Sequence, residues 1–315
     1  MIKNFSVFLL FLCFLSSCYV KNESIPPNIS YSPSPLEVKQ LLSLSPPTKK
    51  TTSRWEEEKH IATAFAKELD FYRAITAYKR ALHLIPQEEK LSQMEINYFI
   101  IQCYYFAAKY QDVIDTFENS SLKDVEASFP AFNDLLIILH DSYRRLGKTN
   151  KMQKVMEILE QKSPDTAQNV KLSSALLEGD LTEISSLAQQ KPSKKYIANF
   201  MQSSYKKLSK SPGKAQIYNA IIPGTGYLYV GQTRSAFTSF CLNSLFIAAT
   251  YHFFDHGNTA AGILAASFEL GWYIGGINGA GLAAQDYNCH LYEKRAKKIL
   301  EQENLFPFFM LQYAF

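Results

Sequence analysis

Charge is nearly missing from one long stretch of this chain. Between Ala215 and Ala284 only Arg234, Asp255 and Glu269 carry a formal charge, whereas charged residues make up 20% of the whole sequence. A soluble helix of ordinary size shows a polar face, so this block is expected to meet a solvent other than water. Two apolar runs inside it, 233–254 and 259–283, are each long enough to cross a hydrocarbon core of about 30 Å at about 1.5 Å per residue. The polar turn Asp255-His256-Gly257-Asn258 joins them. The pattern reads as a helical hairpin embedded in a membrane, in competition with two buried helices of a large soluble core.

Other absences narrow the function. Cysteine is scarce, and Cys103, Cys241 and Cys289 lie in unrelated segments without metal-like spacing. They indicate neither a disulfide framework nor a zinc site, and each reads as a small apolar filler. His60, His83 and His140 share no helical face and read as surface or packed histidines. The Gly-rich run near Gly224 is not followed by Gly-Lys-Ser/Thr, which excludes a phosphate loop. A net charge of +4 over 315 residues points to no nucleic-acid partner. With no catalytic constellation, cofactor motif or metal cluster to support an enzyme, the expectation is a non-enzymatic protein.

The N-terminus combines Lys3 with an apolar stretch, 5–15, of signal-peptide length. It ends in Leu15-Ser16-Ser17-Cys18. That string resembles the lipobox of bacterial lipoproteins, which implies a signal peptide over 1–17 and a lipid on Cys18. Residues 18–54 hold Pro26, Pro27, Pro33, Pro35, Pro46 and Pro47 among Ser, Asn and Lys. Such a composition buries too little apolar surface to offset its ordering entropy, so a disordered tether is expected.

From Trp55 the pattern becomes that of paired helices. Counting Trp55 as 1, Ala62, Phe65, Ala74, Tyr78, Ala81 and Pro86 fall at offsets 8, 11, 20, 24, 27 and 32. Small residues at 8 and 20 let two antiparallel helices approach, aromatics at 11 and 24 fill the gap, and Pro stops the second helix. These offsets resemble the tetratricopeptide repeat, a unit of about 34 residues. Shifting by 39 brings Tyr104, Tyr110 and Phe117 into related positions, and a second shift brings Tyr143, Gly147, Met156 and Pro164. Ile101, Val113, His140 and Met152 stand where small residues belong. Three helical hairpins and a fourth partial one are expected over 55–200, offering a concave surface to a protein or peptide partner.

Lys206, Lys207, Lys210 and Lys214 lead into the uncharged block, a cluster that reads equally as a contact for anionic headgroups of membrane lipid or as a solvated polar boundary. Pro223, Gly224, Gly226, Tyr229 and Gly231 then form Pro-Gly-x-Gly-x-x-Tyr-x-Gly. This resembles a signature that precedes paired membrane helices in several families of bacterial envelope proteins, some with tetratricopeptide repeats upstream; it implies membrane residence without a defined activity. The run 215–230, broken by Pro and Gly, suits a re-entrant or interfacial segment. Ser267, Gly271, Gly275, Gly279 and Ala283 recur every fourth residue, a groove for the hairpin partner or a second protomer. Depth counted from the turn puts Glu269 level with Asn243 and Ser244, so that pairing is expected across the hairpin.

The cation positions favour no single topology, and inner and outer membranes stay open. The end of the chain, 301–315, reads as an apolar tail packed on the repeats or the bilayer; a terminal strand on a partner's sheet edge is the other reading. The expected whole is an all-α envelope protein: signal peptide 1–17, tether 18–54, helical-repeat solenoid 55–200, membrane hairpin 201–300 and tail 301–315. A scaffold or adaptor is the leading function, and a transport component using the polar groups of the hairpin is the alternative.

Overall fold

A computed structural model of the chain describes residues 27–31, 33–42, 53–190 and 194–314. The stretch expected to be a signal peptide and Cys18 lie outside the described residues. Every regular element among those residues is helical. Two compact units are present, Ile29–Ala198 with Ala296–Phe315, and a second unit that includes Asn199–Arg295.

The first unit opens with α1 (Pro35–Leu42), inside the stretch expected to be a tether. Its start is a capping box. The Ser34 amide donates to Glu37 Oε2 at 2.7 Å, and the Glu37 amide donates back to Ser34 Oγ at 3.3 Å. Pro35 occupies the first helical turn, where its missing N–H costs nothing. Val38 is buried in the core and Tyr31 packs against it, so this part of the Pro-rich stretch does bury apolar surface.

Paired helices follow: α2 (Arg54–Lys67) with α3 (Phe71–Leu84), α4 (Lys90–Phe106) with α5 (Tyr110–Glu118), α6 (Phe132–Arg145) with α7 (Thr149–Lys162), and α8 (Pro164–Glu178) with α9 (Leu181–Gln190). Each helix also touches the next along the chain. The turns inside the first three pairs are copies of one another. Leu69, Ala108 and Gly147, spaced 39 apart, all have positive φ, at 66°, 56° and 67°. The following amide closes each turn at 2.9 Å, from Asp70 to Phe65 O, from Lys109 to Tyr104 O and from Lys148 to Tyr143 O. This left-handed exit from a helix normally selects glycine. Only the third copy has it; the first holds Leu69, packed against the core, and the second an exposed Ala108.

Within the first pair, Ala62, Ala74, Tyr78 and Ala81 are fully buried, as their spacing requires. Tyr78 Oη lies 3.0 Å from Thr63 Oγ1. Phe65 is half-buried under the Arg73 guanidinium, 4.6 Å from its ring centroid. Pro86 is exposed just past the end of α3. Where small residues were expected in the later pairs, Ile101, Val113 and His140 are buried all the same, while Met152 is only partly so.

The second unit contains α10 (Lys195–Asn199) at its boundary, a π-helical turn at Phe200–Tyr205, α11 (Lys206–Leu208), α12 (Pro212–Ile221), α13 (Thr225–Tyr229), α14 (Thr233–Asp255) and most of α15 (Thr259–Gln302). Among the described residues one helix, α15, is long and apolar enough to cross a membrane. At 44 residues it runs about 66 Å. Helix α14 has the length, with 23 residues, but Arg234, Asn243 and six Ser/Thr residues dilute its hydropathy. Sixteen of the 24 large apolar side chains exposed among the described residues lie between Ile217 and Leu282.

Candidate functional site

Helix α4 places Glu95, Tyr98, Phe99 and Gln102 on one stripe, because residues three, four and seven apart share a helical face. Helix α6 brings Asp134 beside them. Asp134 sits in the first turn of α6, where the positive end of the helix favours a carboxylate. Into this cradle the end of the chain is laid. A 3-10 turn at Pro307–Met310 packs Phe308 into the core, and Leu311 and Ala314 follow it.

The contacts read the tail's backbone. Asp134 Oδ2 accepts from the Gln312 amide at 2.7 Å and from the Tyr313 amide at 2.6 Å. The Tyr313 carbonyl accepts from Tyr98 Oη at 2.9 Å and from Gln102 Nε2 at 2.9 Å. The Tyr313 ring stacks on Phe99, with centroids 6.2 Å apart and planes at 8°, and its hydroxyl donates to Glu95 Oε1 at 3.1 Å. Glu95 is itself held by Lys59 at 2.7 Å. Only 4% of Asp134 is exposed, and burial pushes its pKa up to about 6 even though both tail amides and Tyr98 oppose the shift.

A buried ionic network stands about two turns further along α6. Asp141 accepts from Tyr105 Oη at 2.9 Å, from Arg144 Nη2 at 2.7 Å and from Arg145 Nε at 2.8 Å. Burial opposes its ionisation, but the two guanidinium groups outweigh it and hold the carboxyl below its usual range. Neighbouring His140 is buried, and desolvation pushes its pKa down to about 4. His60 and His83 are exposed. Near Arg145 a cavity of about 190 Å³ is lined by Tyr31, Phe71, Tyr110, Phe306 and Phe308 among others. No group of His, Cys, Asp and Glu among the described residues is arranged to hold a metal.

In the second unit the Pro-Gly-x-Gly-x-x-Tyr-x-Gly string has a geometric explanation. Gly224 has φ +95°, and a Cβ there would collide with the Ala236 carbonyl. Its amide donates to buried Asn219 Oδ1 at 2.8 Å. A Cβ on Gly226 would meet the Ala215 carbonyl and stand 2.7 Å from Ala280 Cβ. The Tyr229 hydroxyl accepts from the Ser211 amide at 3.2 Å, and Lys210 Nζ lies 4.8 Å from the Tyr229 ring. Gly231 has φ +86° with open space around it. Pro223 lies in the break between α12 and α13, which splits the 215–230 run.

The glycine stripe packs within the chain only in part. Gly279 lies beneath the Tyr227 hydroxyl, but Gly271 and Gly275 face open space. The packed face of α15 is instead the one with Gly276, which lies opposite Asn219 and Ser239, and Ala280. The expected pairing of Glu269 with Asn243 or Ser244 is not formed. Asn243 is buried and donates to Ser239 O at 2.6 Å, Ser244 is exposed, and Glu269 Oε2 has no partner. Glu269 instead borders an apolar cavity of about 960 Å³ with Ile247, Thr250, Ser267 and Tyr273. Phe246, nine residues before Asp255, stacks at 6.5 Å on Phe268, ten after Asn258, and Ser239, sixteen before, lies opposite Gly276, eighteen after, so the hairpin register is offset by one to two residues from equal depth. That is only about 1.5–3 Å along a helix.

Sequence reasoning missed Asp134, Gln102 and Tyr98. A signal existed, since Asp134 is the lone acid in an otherwise mostly apolar run, 132–139. Comparison of the chain with known protein families, curated proteins and solved structures finds no match.

Proposed function

We propose that the chain is a non-enzymatic, membrane-anchored scaffold of the bacterial cell envelope, whose tetratricopeptide-like repeats hold an extended segment of a protein partner. One observation carries this reading: an extended peptide, the chain's own residues 311–314, lies in the helical cradle and is held through its backbone. Receptors that add an extended peptide to a sheet edge gain affinity from its backbone and specificity from its side chains; here the side chains of helices supply the backbone contacts. The 39-residue spacing of three equal turns supports the repeat assignment, although the spacing is about five residues longer than the usual unit.

Membrane residence rests on α15 and on the apolar side chains exposed around it. A lipid on Cys18 would add a second anchor. The transport alternative is less well supported. The cavity at Glu269 is lined almost entirely by apolar groups and brings no second ionisable side chain other than tyrosines to that carboxyl, so a relay for ions or protons is not assembled there.

The test places a photo-crosslinking amino acid at Tyr72 or Leu91, apolar positions of the paired helices that are 84% and 63% exposed. The full chain is expressed in its native envelope. A discrete adduct with one protein is expected. Adducts with lipid or with the chain alone refute the scaffold.

A further inference from the structure

The cradle offers more hydrogen-bonding capacity than the tail uses. Gln102 is fully buried, yet its Oε1 has no donor while the tail is in place. A buried acceptor left unpaired carries an appreciable penalty. Asp134 is a second mismatch for a permanent core. A desolvated carboxylate is an expensive way to fix a terminus that apolar side chains already anchor, but it suits a site that must grip successive amides of any sequence. The tail follows α15 through a turn at Asn304, a non-glycine residue at φ 51°.

We infer that residues 311–314 are the exchangeable occupant of a partner site that takes an extended segment of apolar–any–tyrosine–small pattern from another protein. This deepens the scaffold reading and rests on it. Leu311 and Ala314 define the apolar and small positions, both buried in the core. Tyr313 defines the aromatic one through Phe99 and Glu95. A partner with a donor able to reach Gln102 Oε1 satisfies the site better than the tail does. The tail therefore acts as a built-in competitor that keeps the cradle closed to segments matching less well.

The experiment uses the full chain in lipid nanodiscs, with a protease site inserted between Glu303 and Asn304. The probe is a fluorescent synthetic peptide of residues 305–315, followed by anisotropy. After cleavage the labelled peptide is expected to replace the resident fragment. The uncut chain is expected to bind it roughly tenfold more weakly or worse, because a tethered competitor acts at an effective concentration on the order of millimolar. Methylating the peptide amides of Gln312 and Tyr313 removes the donors to Asp134 and should abolish exchange, as should Asp134→Leu in the cut chain.

A cut chain that retains its fragment without exchange makes the tail a fixed part of the core and overturns the inference. Exchange indifferent to N-methylation overturns it too. If cleavage unfolds the unit, the uncut double variant Leu311→Ala, Tyr313→Ala supplies the same test, since its loosened tail should raise peptide affinity. Disulfide trapping between Cys at 313 of one chain and Cys at 99 of another would assign the cradle to a second copy instead. A photo-crosslinked partner found while the amides of Gln312 and Tyr313 stay protected from hydrogen exchange sinks the exchange idea and leaves the scaffold standing.

Discussion

Asp134 and His140 give the paired-helix unit two pH dependences of opposite sign. The carboxyl of Asp134 is raised to about 6, above its value of about 3.9 in an unfolded chain. The folded state therefore holds this proton more tightly, and the stability it contributes is full at low pH and is lost as pH rises through 6. His140 is lowered to about 4 from about 6.5. Its contribution is full above 6.5 and is lost as pH falls toward 4. Between pH 7.5 and 5, at about 1.4 kcal/mol per unit, the first gains about 1.4 kcal/mol and the second loses about 2 kcal/mol. The wild-type chain should thus change by well under about 1 kcal/mol over that range.

Two single variants expose the hidden slopes. Asp134→Asn keeps an acceptor for the tail amides but cannot titrate, so its stability should fall by about 2 kcal/mol from pH 7.5 to 5. His140→Leu should rise by about 1.4 kcal/mol. The assay is urea unfolding of the detergent-solubilised full chain, read from Trp55 fluorescence in a Trp272→Phe background. The charged and polar groups facing Asp134 are Tyr98 and the tail amides, and those near His140 are Asp141 and Arg144. Equal pH slopes in both variants and the wild type would show that neither group is desolvated as the structure requires.

Two further outcomes follow from close packing. Ala74 is fully buried between α2 and α3, so Ala74→Trp should destabilise the paired-helix unit by about 1–3 kcal/mol, and an unchanged urea midpoint would put the register of the first pair in error. Gly224→Ala combines a left-handed φ with a backbone collision, whereas Gly231→Ala meets open space and costs only about 1–2 kcal/mol for its φ. The first should leave the chain aggregated in detergent and the second monodisperse on gel filtration; equal behaviour refutes the geometric account of the motif.

The parts of the fold that sequence revealed were those governed by local periodicity. The burial of Ala62, Ala74, Tyr78 and Ala81 and the 39-residue spacing follow from which residues share a helix face. What escaped was set by contacts between distant residues. The tail meets Asp134 across 178 and 179 residues of sequence, and nothing in the run Leu311-Gln312-Tyr313-Ala314 names its receptor. Helix α1 was hidden for a different reason. Its proline density outweighed a legible capping signal, Ser34-Pro35-Leu36-Glu37, whose reciprocal bonds start the helix. The glycine stripe reports only that close approach is allowed, not by which partner. Within the chain Gly279 meets Tyr227, while Gly276 and Ala280, off the stripe, meet Asn219 and Gly226.

The same limit explains Glu269 and yields a decisive test. Counting depth from the turn assumes that both helices leave it in step. The structure instead pairs Phe246 with Phe268 and sets Ser239 opposite Gly276, which shifts α14 against α15 by one to two residues. Ser244 faces the outside, and Ile247 and Thr250 border the cavity with Glu269. Cys pairs placed at 246 and 268 should therefore form a disulfide in the reconstituted chain, while pairs at 244 and 269 should not. If 244 and 269 crosslink and 246 and 268 fail, the equal-depth register is right, Glu269 finds its polar relief within the hairpin, and the cavity beside it closes.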